Sequence, residues 1–171
     1  MQRLYRMFAG YNAWANGRIY DAAARLADAD YRADRGAFFG SVHGTLNHLL
    51  VADRIWMRRF TGTGEAPSRL DAILFEELAP LRAAREAEDA RIAGWVESLS
   101  AEQLAGMIRY TTLSSPATIE QPLAMALVHI FNHQTHHRGQ VHGLLTAIGG
   151  RDAAPSLDLI VFQRETGIGM R

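Results

Sequence analysis

The stretch HIFNHQTHHRGQ, residues 129–140, holds four of the chain's seven histidines: His129, His133, His136 and His137. Imidazole is the commonest metal-binding side chain, and two of them four residues apart on a helix stack over one turn, where both can reach one cation. At about 100° per residue, with His133 set at zero, the apolar Leu123, Ala126, Ile130, Val141, Leu144 and Ile148 fall between roughly 20° and 80°. His137, at about 40°, lies inside that stripe, and His133 lies at its edge. His129 and His136 turn toward the flank at about −40° and −60°, and His142 points to the opposite side. A lone inward histidine is ordinarily a hydrogen-bonded core residue. Two stacked imidazoles in an apolar stripe both need partners at low dielectric, and a shared metal meets that need. Gln134 follows His133, so the Glu of an H-E-x-x-H peptidase is missing and that mechanism is not supported.

Two histidines on one helix need a third ligand from elsewhere. The stretch SVHGTLNHLLVADRIW supplies His43, His48 and Asp53. His43 belongs to a first turn, near a helix end. His48 is mid-helix beside Leu46, Leu49 and Leu50, at a depth that matches the centre of the histidine-rich helix, and is the best third ligand. Glu86, Glu88 and Asp89 form a cluster that reads as a solvated face. With no E-x-x-H pair, a di-iron carboxylate bundle is disfavoured. Three neutral imidazoles leave a coordination position open, as catalytic rather than structural sites do. Each ligand's second ring nitrogen needs an acceptor, and Asp53, Asn132, Gln134 and Asp158 are the available groups. Asp53 has an equal alternative in an ion pair with Arg54, Arg58 or another surface arginine. Arg138 is a candidate for an anionic substrate, with a surface role as its alternative. No catalytic residue is assigned. Imidazole ligation suits zinc, nickel, iron or cobalt.

Composition narrows the chemistry further. The chain has 171 residues, 48% apolar, enough for one domain over residues 1–171. There is no cysteine, which excludes disulfides, thiolate sites and a cysteine nucleophile. There is also no lysine, so Schiff-base chemistry and a P-loop cation are excluded. Any thiol must come from outside the chain. Basic and acidic residues balance at 18 each with no basic cluster, which argues against nucleic-acid binding. No apolar run approaches the roughly 20 residues of a membrane span. The N-terminal MQRLYRMFAGYNAWANGR interrupts its apolar residues with Arg and Asn, unlike a signal peptide. A soluble cytoplasmic protein is expected.

The elements that must position the histidines follow from period and punctuation. Leu4, Phe8, Tyr11, Ala15, Ile19, Ala22 and Leu26 recur by threes and fours, predicting a first helix from about Gln2 to Leu26. Asp30 to Gly40 reads as a polar connection. Ser41 is a good N-cap for a second helix ending near Phe60. A third begins at Asp71 or Pro80 and runs to Leu99. MIRYTTL at 107–113, a Ser-Ser-Pro turn and 117–121 suggest a small hairpin. The last long helix starts near Pro122 and stops at Gly149-Gly150. The segment SLDLIVFQRE is expected to pack across the others. Four long amphipathic segments with little strand suggest an all-α four-helix bundle.

FGSVHGTLNHLLVADRIWMRRF at 39–60 and HIFNHQTHHRGQVHGLLTAIG at 129–149 resemble the two signature helices of the DinB family (DinB/YfiT-like metalloenzymes), a name unrelated to the DNA polymerase. YNAWAN near the start and LDLIVFQRE near the end extend the resemblance to nearly the whole chain. The resemblance implies a four-helix bundle, often dimeric, with a three-histidine divalent metal site whose positions here are His48, His133 and His137. His129, His136 and His142 are not carried over. It also implies a range of activities, including bacillithiol- and mycothiol-dependent transferases and an isomerase. The expected function is therefore a divalent-metal enzyme (zinc, nickel or iron), a transferase or hydrolase-like enzyme acting on a small molecule, with a low-molecular-weight thiol as cosubstrate and a homodimeric state. The alternative is a non-catalytic metal- or ligand-binding stress-response bundle. A helical scaffold without metal is the third reading. Trp14, Tyr11, Trp56 and Phe60 serve either as core aromatics or as a partner surface.

Overall fold

A computed structural model describes residues 1–113 and 117–170. The elements are α1 (Gln2–Ala23), α2 (Asp28–Arg32), α3 (Val42–Thr61), α4 (Leu78–Ser98), α5 (Ala101–Ala105), β1 (Met107–Thr111), β2 (Thr118–Pro122), α6 (Leu123–Gly149), a 3-10 turn (Arg151–Ala153) and α7 (Leu159–Thr166). Among the described residues the chain is helical apart from one antiparallel hairpin. Each of α1 and α3 packs against both α4 and α6. Among the described residues, no helix is long and apolar enough to cross a membrane.

The helix ends obey local chemistry. Ser41 caps α3 by accepting a hydrogen bond from the Gly44 amide at 3.0 Å. Gly62 closes the same helix at φ 71°, the left-handed conformation that glycine adopts without strain. Helix α4 starts at Leu78 rather than Asp71, and Pro80 sits in its first turn, where a missing N–H breaks no intrahelical bond. The expected polar connection over 30–40 instead carries part of α2 and buries Tyr31. In the hairpin, Met107 pairs with Pro122 and Thr111 with Thr118. The predicted Ser114-Ser115-Pro116 turn lies outside the described residues.

Two apolar clusters fill the ends of the helical core. One joins Trp56, Ile92, Val96, Leu127 and Phe131 near the hairpin. The other joins Ile19, Leu46, Leu50, Leu81 and Leu145 at the opposite end. A buried polar group includes Asn12, Asn16, Asp53, Arg85, Asp89, Gln134 and Arg138. Asp89 accepts from Asn12 at 3.1 Å and from Asn16 at 3.0 Å, and its carboxylate is 3.0 Å from Arg85. Two guanidinium groups against two carboxylates keep this layer electrically balanced, which burial of charge requires.

Side chains of α3 fasten the segment between α3 and α4 against that helix. Asn47 pins it twice: its side-chain oxygen accepts from the amides of Leu74 and Phe75, and its amide donates to the Phe75 carbonyl at 3.2 Å. His43 holds the same carbonyl at 3.0 Å, so this histidine anchors the loop.

Candidate metal centre

His48 on α3 and His133 and His137 on α6 converge, each offering a ring nitrogen within 4.8 Å of the other two. Nε2 of His48 lies 3.2 Å from Nε2 of His133. Two nitrogens bound at about 2.1 Å to one tetrahedral zinc would be separated by about 3.4 Å. Interhelical packing thus brings the imidazoles to ligand spacing.

Hydrogen bonding fixes which nitrogens are free. His48 Nδ1 is 2.8 Å from the Leu70 carbonyl, which can only accept, so Nδ1 carries the proton. His137 Nδ1 is 2.7 Å from Gln140 Oε1 and donates in the same way. The Nε2 atoms of both rings are therefore lone pairs. His133 Nδ1 is buried without a hydrogen-bond partner among the described residues. Burial holds all three rings neutral: it pushes the pKa of His48 down to about 4 and, with the neighbouring imidazoles, that of His133 down to about 3. His137 is lowered for the same main reason. Neutral imidazoles with closely spaced ring nitrogens are the donor set a divalent cation needs.

Local features set the ring positions. Phe39 stacks on His48 with centroids 3.7 Å apart and 17° between planes. This closeness depends on Gly44, where a Cβ would strike the Phe39 carbonyl oxygen. Gln140 lies one turn after His137 and is steadied by His136 at 3.4 Å.

The cluster separates two clefts. One, of about 380 Å³, is lined by His48, Leu70, Trp56, Arg59, Tyr110, His129 and His133 among others. The second, of about 280 Å³, includes Phe38, Phe39, His136, His137 and Gln140. The centre is open on both sides.

The polar groups expected to support the ligands lie elsewhere. Asp53 is fully buried in an ion pair with Arg85 at 2.7 Å. Burial raises its pKa to about 6 against the opposing pull of Arg85. Gln134 spans from the Leu49 carbonyl to Arg138, Asn132 is exposed beside Leu4 and Phe8, and Asp158 precedes α7. Arg138 is 1% exposed, donates to Asn12, Asn16 and Gln134, and lines neither histidine cleft. The acceptors that do meet imidazoles of the cluster are Leu70 and Gln140. The spacing of Gln140 from His137 was a usable signal, whereas no sequence pattern marks a loop carbonyl such as that of Leu70.

The sequence matches the DinB family over residues 1–167. The chain belongs to the DinB family. Protein DinB of Bacillus subtilis (strain 168) is 25% identical over 164 residues, covering 91% of this chain and 92% of that relative. Two segments inside the DinB match bring the three-histidine cluster together, and the cluster is compatible with metal binding.

Proposed function

We propose that this protein is a metal-dependent enzyme of the transferase type, with a divalent ion held by His48, His133 and His137. The observation that carries this reading is the convergence of ring nitrogens: the unprotonated Nε2 of His48 lies 3.2 Å from His133 Nε2, and His137 offers a ring nitrogen within 4.8 Å of both. Without a cation, His133 can satisfy the His48 nitrogen only by donating from Nε2, and its buried Nδ1 remains unpaired. Zinc, nickel and iron all suit imidazole donors. Such an ion, when bound, supplies Lewis acidity that lowers the pKa of a coordinated thiol or water.

The residues of the chain hold the donors neutral, orient them through Leu70 and Gln140, and leave two clefts for a small-molecule substrate. That openness supports an enzyme over a closed binding site. A chain without cysteine suits a low-molecular-weight thiol cosubstrate. We take the four long helices to be a four-helix bundle, one domain over residues 1–171 acting in the cytoplasm as a homodimer with a metal site in each subunit. Light scattering that gives a mass near 18.9 kDa at micromolar concentration would reject the dimer.

Elemental analysis of the native protein tests the centre. One equivalent per chain is expected, with occupancy lost in His48→Ala, His133→Ala or His137→Ala and kept in His136→Ala and His142→Ala. Full occupancy in His133→Ala would overturn the assignment. Thiol-conjugation assays with each metal then test the transferase reading; turnover without added thiol would reject the cosubstrate.

A further inference from the structure

One cation in the larger histidine cleft has no counter-charge. Arg59 is half-buried, its guanidinium carbon 4.6 Å from the Trp56 ring centre and 4.5 Å from that of Tyr110. Its Nη2 donates to the Thr111 carbonyl at 3.3 Å. Among the described residues, it makes no ion pair and no further hydrogen bond. On the same helix Arg54 pairs with Glu65 at 3.0 Å, whereas Arg58, like Arg59, donates to a backbone carbonyl, that of Gly64 at 2.6 Å. A guanidinium carries five N–H donors in a planar fork suited to carboxylates and phosphates. Two flanking rings hold that fork in place, and partial burial strengthens its attraction for an anion by excluding water.

Arg59 belongs to the same helix face as the ligand His48. The positions 48, 52, 55 and 59 follow the i, i+4, i+7, i+11 pattern, leaving Arg59 about 20° from His48 around the axis. All four residues line the one cleft. The two Cα atoms stand about 16 Å apart along the helix. Helical side chains lean toward the N-terminus and an arginine reaches further than a histidine, so the guanidinium lies closer to the histidines than that spacing. Ala52, Ile55, Leu70 and Leu113 give the cleft apolar wall, while Thr112 and His129 add polar lining.

We infer that Arg59 is an anion-binding subsite for the substrate or cosubstrate of the metal centre, selecting small molecules with an oxyanion group at one end, an apolar middle and a metal-seeking donor at the other. The donor end of this inference rests on the metal reading above, whereas the anion end does not. Desolvation lowers the pKa of Arg59, as expected for a cation that lacks a carboxylate partner among the described residues.

Calorimetric titration of the full-length protein provides the test. The probes are mercaptooctanoate with a terminal thiol, the matching mercaptooctanol, and octanoate, each with metal-loaded and chelator-treated protein. The loaded parent should bind the carboxylate thiol at least tenfold more tightly than the neutral one. Arg59→Met, which keeps the apolar stem, should erase that difference while leaving mercaptooctanol affinity and metal content unaltered, and Arg59→Lys should restore part of it. Octanoate needs no metal, so its binding to the chelator-treated protein should also weaken in Arg59→Met even if the metal reading fails. Arg59→Met binding mercaptooctanoate or octanoate within twofold of the parent would overturn the subsite, as would absent octanoate binding in the parent.

Discussion

Replacing Gln140 with Leu removes the acceptor that holds the proton on His137 Nδ1, at 2.7 Å in the parent. The bond keeps Nε2 free for a cation, and it strengthens when the ring carries part of the metal's charge. An ordinary hydrogen bond contributes about 0.5–1.5 kcal/mol net, and one to a charged group about 1.5–3 kcal/mol. His137 is 8% exposed, so water can replace the lost acceptor only in part. The expected loss is roughly 1.4–2 kcal/mol, which corresponds to a tenfold to thirtyfold weaker metal affinity and agrees with the usual effect of deleting a ligand's hydrogen-bond partner. Competition between the chelator-stripped protein and a chromophoric chelator for zinc or cobalt, at neutral pH, measures this directly. Gln140→Glu should bind the metal more tightly than the parent, because a carboxylate raises the basicity of the imidazole. Asn132→Ala, at an exposed position away from the clefts, should leave affinity unaltered. Affinity of Gln140→Leu within twofold of the parent would refute a supporting role for Gln140, as would an equal weakening in Asn132→Ala.

Gly44→Ala drives a methyl group into the Phe39 carbonyl, so stability should drop by about 1–3 kcal/mol and Tm by several degrees; a thermal melt that superimposes on the parent's would show that the contact relaxes freely. Metal-free protein should lose stability on acidification. His48 and His133 stay neutral in the fold down to about 4 and about 3, while the unfolded chain takes up their protons below 6.5, so stability present above 6.5 is lost as pH falls. Asp53 works the other way: raised to about 6 from 3.8, its contribution is present at low pH and lost as pH rises through 6, which offsets one histidine. His137, also lowered by burial, adds to these two histidines, so together they outweigh Asp53 and net stability should fall between about pH 6 and 4; urea midpoints equal at pH near 7 and near 5 would contradict it. Duplex DNA should bind negligibly, given 18 basic and 18 acidic residues with no basic stretch; submicromolar, salt-sensitive binding would overturn this.

The pairing of His133 with His137 could be read from the chain alone because both lie on one continuous helix, where angular position depends only on spacing. The long helices were legible for the same reason. Ser41, Pro122 and the Gly149-Gly150 pair marked boundaries by satisfying or removing backbone donors locally. His48 was within reach of the same logic, since its depth along α3 could be matched to that of α6, although meeting His133 required the two helices to pack together.

Contacts that depend on long-range packing were decided only by the tertiary structure. Asp53 could pair with an imidazole or with an arginine, and the approach of α4 brings Arg85 to it. Arg138 follows His137 directly, yet one further step of about 100° turns it into the buried polar layer with Asn12 and Asn16 of α1. The Leu70 carbonyl reaches His48 because Asn47 and His43 hold the following loop segment against α3. Residue type and period determine which face a helix buries; helix rotation, crossing and loop path determine what that face meets, and those arise from the packing of the whole chain.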